Sequence, residues 1–265
     1  MIKLLTPLLI FFLVSLLQPA DTPKAACEHE KSEGTVSSSS EGNRTPSERF
    51  NQFNTLVRDG KIDRNEALTI LNTLLKELKE DYYRRDGKDF PGNKWIFPLE
   101  GYDVLSITGG RNKGYISSGY DYFSGNRHGG HPSFDIFIYD RNQDGLDDRS
   151  GQPVKVRSLG GGIVVAMERE WEEGSILRGG KYIWVYDPGN ELLLYYAHNS
   201  KITVGLGDIL TPGEFLATVG RSGLNAAKKR SPTHLHLTVL EVKNGKPLPL
   251  NVYNDLAHAG KKCLN

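Results

Sequence analysis

The chain has 265 residues, with 33 Lys and Arg against 32 Asp and Glu, and a formal charge of +1. That balance excludes a broad electrostatic grip on nucleic acid or on an anionic membrane surface. Charged residues at 25% and hydrophobic ones at 38% exclude a collagen-like, coiled-coil or wholly disordered chain. Two cysteines are too few for a disulfide-stapled scaffold or a Cys-ligated zinc module, and 29 glycines point toward turns and β structure.

Lys3 precedes an apolar run from Leu4 to Leu17, broken by Thr6, Pro7 and Ser15. At 14 residues the run is shorter than the roughly 20 that span a bilayer. With Pro19-Ala20 after it, residues 1–20 read as a signal peptide, whose cleavage could extend to residue 26. Export to the periplasm or the extracellular cell envelope is expected, with no stable membrane span in the mature protein. The rival readings are weaker: an uncleaved anchor lacks the length, and a lipoprotein at Cys27 has Lys24 where an apolar residue belongs. In an oxidising compartment Cys27 and Cys263 could pair or remain free thiols. Asn43-Arg44-Thr45 matches a glycosylation sequon that matters only in a eukaryotic secretory host.

Residues 21–45 are rich in Ser, Glu and Lys and read as a disordered polar linker. Residues 46–87 read as a helical hairpin. Phe50, Phe53, Leu56 and Val57 mark a short first helix, and Asp63 with Glu66 forms a capping box for the second. Leu68, Leu71, Leu75, Leu78 and Tyr82 then recur at alternating three and four, one apolar stripe. Such a hairpin would dock on another surface; whether it blocks a site is left open.

From residue 90 to 255 short runs of period two alternate with Gly, Pro and Asn, as in a mainly β, antiparallel domain. Lys181 to Tyr186, the turn Asp187-Pro188-Gly189-Asn190 and Glu191 to Ala197 read as strand, turn, strand. Phe215 to Val219 is a further strand. No helix of ordinary length is evident after residue 90, and residues 256–265 read as a C-terminal tail.

Four of the seven histidines stand in an ordered constellation. In His131-Pro132-Ser133-Phe134-Asp135, residues i and i+4 of an extended segment share a face, so His131 and Asp135 can converge. In Thr233-His234-Leu235-His236-Leu237-Thr238-Val239, both histidines take one face while Leu235, Leu237 and Val239 take the core face. His198 ends the run Tyr195-Tyr196-Ala197. Two imidazoles with one carboxylate are a common ligand set for catalytic zinc, with a fourth position left for water. There is no His-Glu-x-x-His helix, so a general base must come from elsewhere, and the remaining imidazoles are the candidates. Asp140-Arg141-Asn142-Gln143-Asp144-Gly145, with Asp148 at the ninth place, resembles a calcium loop, and Asp140, Asn142, Asp144 and Asp148 would be its ligands. Gly151 stands where that loop needs a bidentate Glu, so an acidic surface hairpin is the favoured reading.

These residues resemble the lysostaphin/LytM-type zinc metallopeptidases, which cleave peptides of bacterial peptidoglycan. The likeness runs from about Phe97 to Asn251 through His131-x-x-x-Asp135-Ile136, Gly160-Gly161-Gly162-Ile163-Val164-Val165 and Tyr196-Ala197-His198. It continues through Val204-Gly205-Leu206-Gly207-Asp208, Val219-Gly220-Arg221-Ser222-Gly223 and His234-Leu235-His236. The resemblance implies a duplicated hybrid motif fold of barrel-sandwich type and one zinc ion held by His131, Asp135 and His236. His198 and His234 would be catalytic, and peptidoglycan cross-bridges or stem peptides the substrate. A catalytically inactive peptidoglycan-binding, hydrolase-activating relative is the alternative. Two departures stand out: Ser133 where the family often has Gly, and Leu237-Thr238 where it has Phe-Glu. The loop Ala226 to Ser231 carries Lys228, Lys229 and Arg230, a basic stretch that could contact substrate or simply be solvated. His128 has no assigned role. The bond cleaved and the oligomeric state are not legible.

Overall fold

The computed structural model describes residues 44–109 and 111–262. The expected signal peptide, nearly all of the polar linker, the sequon asparagine and both cysteines lie outside the described residues. No helix among the described residues is long and apolar enough to cross a membrane.

Two helices open the described chain. In α1, Pro46–Arg58, Thr45 caps the Glu48 N–H while Glu48 reaches back to the Thr45 N–H, with Pro46 in the first turn. In α2, Arg64–Arg84, the Asp63 carboxylate accepts from the N–H groups of Asn65 and Glu66. The reciprocal box thus forms one helix earlier than expected, at a Thr-x-x-Glu signature that the sequence shows plainly. Phe50, Phe53 and Val57 interdigitate with Leu71, Leu75, Leu78 and Tyr82, and Ala67 and Leu74 join the buried stripe.

The rest is mainly antiparallel β, as expected. A seven-stranded sheet runs β1 (Ser133–Phe137), β9 (His234–Lys243), β5 (Leu192–Ala197), β4 (Tyr182–Asp187), β3 (Gly162–Glu168) and β7 (Ile209–Leu210), with β10 (Lys246–Pro249) also paired to β9. A smaller sheet runs β2 (Lys155–Arg157), β8 (Phe215–Val219) and β6 (Asn199–Ile202).

The period of two explains how the large sheet is covered on both faces. Strand β4 is buried throughout because Ile183 and Val185 point into the core shared with Phe97, Val156, Ala217 and Val219, while Tyr182, Trp184 and Tyr186 point to the hairpin. Polar latches fix the hairpin there. The Asn54 amide donates to the Tyr182 hydroxyl at 2.9 Å, and Arg58 reaches Glu168 at 3.0 Å and the Tyr182 hydroxyl at 3.2 Å.

A third helix, α3 (Tyr253–Lys262), corrects the expectation of no helix after residue 90. The Asn251 side chain accepts from the Tyr253 N–H, and Leu256 and Ala259 are buried against the core. Its apolar side is only one and a half turns of small or single residues, too short to register as a stripe.

A buried side-chain hydroxyl satisfies a main-chain amide in the core. Tyr196 is fully buried, and its hydroxyl accepts from the Leu159 N–H at 2.9 Å. Tyr196→Phe is expected to cost about 1–3 kcal/mol by leaving that amide unpaired. Urea unfolding measures it, and an unchanged midpoint would contradict the account.

Candidate metal centre

The register of β1 and β9 assembles the site. Asp135 lies directly opposite His236, and Phe137 opposite His234, so alternation puts Asp135, His234 and His236 on one face. His131 precedes β1 and is held by paired backbone bonds with Ile116. His236 also pairs with Ala197 of β5, which places the next residue, His198, at the same end of the sheet.

Three ligand-type atoms converge on one point. Asp135 Oδ1 lies 3.3 Å from His131 Nε2 and 2.9 Å from His236 Nδ1, with His234 Nε2 at 3.7 Å. Among the described residues, His131, Asp135 and His236 are the one group of three His, Cys, Asp or Glu whose ligand atoms lie within 4.8 Å of one another. The His131 and His236 rings are edge to face at 4.9 Å, and the His198 ring lies 4.9 Å from His234 and 5.4 Å from His236.

The outer nitrogens are fixed by the backbone. The Nδ1–H of His131 donates to the Gly114 carbonyl at 3.0 Å, that of His198 to Ser222 at 2.8 Å, and that of His234 to Pro232 at 2.7 Å. For His198 and His234 the bond selects one tautomer and leaves Nε2 as a lone pair, whereas His131 Nε2 faces the Asp135 carboxylate. For His236 the roles are reversed: Nδ1 faces the cluster, and Nε2 lies 3.4 Å from the Thr238 hydroxyl. Thr238 is hydrogen-bonded at 2.7 Å to Ser133, its register partner. Two of the three positions that depart from the family pattern, Ser133 and Thr238, therefore meet each other across the strands.

His198 is the strained member. Its φ of 66° is left-handed, and it carries the chain from β5 of one sheet to β6 of the other. Gly223 makes room for it: a Cβ there, at φ +113°, would lie 2.8 Å from His198 Nδ1 and 2.5 Å from the Arg178 carbonyl. Ser222 completes the clamp, accepting from the Lys181 N–H and donating to the Asn199 carbonyl.

The electrostatics follow from burial against pairing. Burial pushes the Asp135 carboxyl up, but hydrogen bonds from His131 and His236 and the neighbouring imidazoles outweigh it and hold it well below the usual range. Burial, then the neighbouring His234 and His236, drives His198 well down, so it is a neutral imidazole at pH 7. His236 is lowered by burial despite Asp135, whereas for His131 the Asp135 bond overcomes burial and raises it. An anionic carboxylate with two imidazole nitrogens, whose protons facing it an ion would displace, is a donor set that fits zinc.

The cluster opens on a cavity of about 280 Å³. From His236 a run of rings leads away: Tyr195 at 6.1 Å, Trp184 4.5 Å beyond it, then Tyr122 at 5.9 Å. The far wall is α1, through Asn54, Val57 and Arg58, while Arg178 lines the cavity from the loop before β4. His128, left without a role by the sequence, also lines it and stacks edge-on to Tyr120 at 4.8 Å. Of the basic loop, Ala226 and Ser231 line the cavity; Lys228, Lys229 and Arg230 are exposed outside it.

The calcium-like loop uses its oxygens internally. Asp140 accepts from the N–H groups of Asp144 and Gly145 and from the Thr233 hydroxyl, Asn142 donates to Asp144, and Asp148 accepts from the Arg141 N–H. These four residues form no metal-type cluster among the described residues.

Residues 141–249 match the profile of peptidase family M23. That segment contains His198, His234 and His236 but begins after His131 and Asp135. No curated protein matches the chain. Among solved structures, lysostaphin from Staphylococcus simulans is 22% identical with a TM-score of 0.34, over 50% of this chain and 45% of that one. A zinc-containing peptidase from Vibrio cholerae is 20% identical with a TM-score of 0.37, over 61% of this chain and 39% of that one. A variant of the catalytic domain of the prophage-encoded M23 protein EnpA from Enterococcus faecalis is 19% identical with a TM-score of 0.31, over 53% and 90%. The chain thus spans less than half the length of lysostaphin.

Proposed function

We propose that this chain, whose residues 141–249 match the profile of peptidase family M23, is an exported zinc-dependent endopeptidase acting on peptide cross-bridges or stem peptides of bacterial peptidoglycan. One observation carries the reading: three ligand-type atoms converge at Asp135 Oδ1, beside two further histidines whose Nδ1–H groups are tied to carbonyls.

His131 Nε2, Asp135 Oδ1 and His236 Nδ1 would hold one zinc ion. Zinc supplies Lewis acidity there, polarising a carbonyl and lowering the pKa of water to about 7. His198 and His234 do the proton work. With Nδ1–H committed to Ser222 and Pro232, each presents Nε2 to the cavity as an acceptor. A water proton passes to Nε2 as the water oxygen attacks the scissile carbonyl carbon, and the resulting imidazolium returns that proton to the leaving amine. While charged, the imidazolium also steadies the developing oxyanion. His198, buried and neutral, is poised for the first transfer.

His198→Ala and His234→Ala are each expected to keep bound zinc and lose about 10²–10⁴-fold in turnover. Full activity in either variant overturns its role. The rival reading, a catalytically inactive peptidoglycan-binding and hydrolase-activating relative, is disfavoured by a complete set of five site residues. The deciding experiment incubates the protein with purified peptidoglycan, with and without a chelator. Chelator-sensitive release of free amines supports the peptidase, and binding without release supports the regulator. Export rests on residues 1–20 and is tested by fractionating cells that express the full chain.

A further inference from the structure

The cavity beside the histidines contains two polar groups that the hydrolytic chemistry does not use. Arg178 is half-buried in its wall, and its Nη1 donates to the carbonyls of His128 at 2.9 Å and Asn126 at 3.2 Å. Among the described residues no carboxylate is paired with it, whereas the other arginine of the cavity, Arg58, is neutralised by Asp59 and Glu168. A guanidinium has five donors in a planar fork, and two carbonyls taken by one nitrogen leave the Nη2 side free. The second group is the Tyr122 hydroxyl. Its residue is only 6% exposed and lines the same cavity, and the hydroxyl itself is buried with no hydrogen-bond partner among the described residues. A buried hydroxyl without a partner is costly unless something polar completes it.

A neutral glycine-rich peptide can offer Arg178 only uncharged carbonyl oxygens, which leave the guanidinium charge unanswered. A peptide with a free carboxylate matches Arg178, since the planar fork pairs with carboxylate oxygens. We infer that Arg178 is a specificity-determining residue that binds a free carboxylate on the substrate close to the scissile bond, so that acidic stem peptides are preferred over neutral oligoglycine bridges. The inference rests on the peptidase reading above and narrows its substrate class.

The obvious competing role is mechanical. Arg178 straps the segment containing Asn126 and His128 to the loop before β4, and its loss could loosen the cavity for every substrate. The test therefore reads a ratio. Cross-linked stem-peptide dimers are prepared in the free-acid form and, by carbodiimide coupling with ammonia, as carboxamides, and N-acetyl-pentaglycine amide serves as the neutral bridge. The full chain should hydrolyse the free acid at least about tenfold faster in kcat/KM than the carboxamide, as charge-assisted hydrogen bonds of about 1.5–3 kcal/mol imply. In Arg178→Met that ratio should fall toward one, and in Arg178→Lys it should be partly restored, because the charge survives without the fork.

Equal rates of the unaltered chain on acid and carboxamide overturn the inference and leave the peptidase reading standing. An equal fall on both substrates in Arg178→Met, with the ratio kept, makes Arg178 a strap and also overturns it. If the unaltered chain hydrolyses none of the three, the peptidase reading fails and takes the inference with it.

Discussion

Asp135→Ala is expected to leave a folded chain with almost no bound zinc and with hydrolysis reduced more than about a thousandfold. Donor count decides the loss. Asp135 Oδ1 is the common neighbour of His131 and His236, so its loss leaves two imidazoles to hold an ion that takes three protein ligands in open catalytic sites. It also removes the negative charge that offsets the ion's own. The fold should survive, because the backbone pairing of Asp135 with His236 does not depend on the side chain and the residue is partly exposed. Metal analysis of the purified variant gives zinc per chain, and release of amines from peptidoglycan gives activity. His128→Ala is the matched control: it lines the cavity outside the ligand cluster and should retain its zinc. Normal zinc content in Asp135→Ala would sink the ligand assignment, whatever the activity did.

Much of that centre was legible before any fold was known, for a simple reason. His131, Asp135, His234 and His236 lie on two extended segments, and period two alone sorts them onto faces. The β4–β5 hairpin was equally plain, because six buried residues end at an Asp-Pro-Gly-Asn turn. What stayed hidden is whatever depends on the main chain or on distant packing. The acceptors that set the tautomers of His131, His198 and His234 are carbonyls of Gly114, Ser222 and Pro232, and a carbonyl has no side-chain signature. Arg178 sits 47 positions after His131 in a loop without a motif, so only the fold brings it to the cavity. The Ser133 and Thr238 departures looked independent in the sequence; the β1–β9 register makes them one hydrogen-bonded pair. Helix α3 escaped because most of its burial comes from Leu256 and Ala259, too little for periodicity to detect.

The hairpin yields the second large effect. A docked helical pair ahead of the β domain could act as a removable plug, and the sequence leaves that open. Its packing points elsewhere. Phe50, Phe53, Leu71 and Leu78 cover Ile163, Val165, Tyr186 and Leu193, all on the same sheet face as the metal-type cluster. Meanwhile the cluster keeps 19–32% of its side-chain surface exposed. Removing residues 46–84 would uncover that sheet face, at about 1.5–3 kcal/mol for each large side chain returned to water. Several such losses exceed the roughly 5–15 kcal/mol that holds a typical domain. It would also delete Asn54, Val57 and Arg58 from the cavity wall. The truncated chain should therefore aggregate or unfold without a cooperative transition, and show no gain in hydrolysis. Phe50→Ala gives the graded version: a fully buried ring lost at about 3–5 kcal/mol, with activity retained at temperatures where the variant stays folded. A truncated chain that melts cooperatively and releases amines faster than the full chain would establish the hairpin as an inhibitory segment instead.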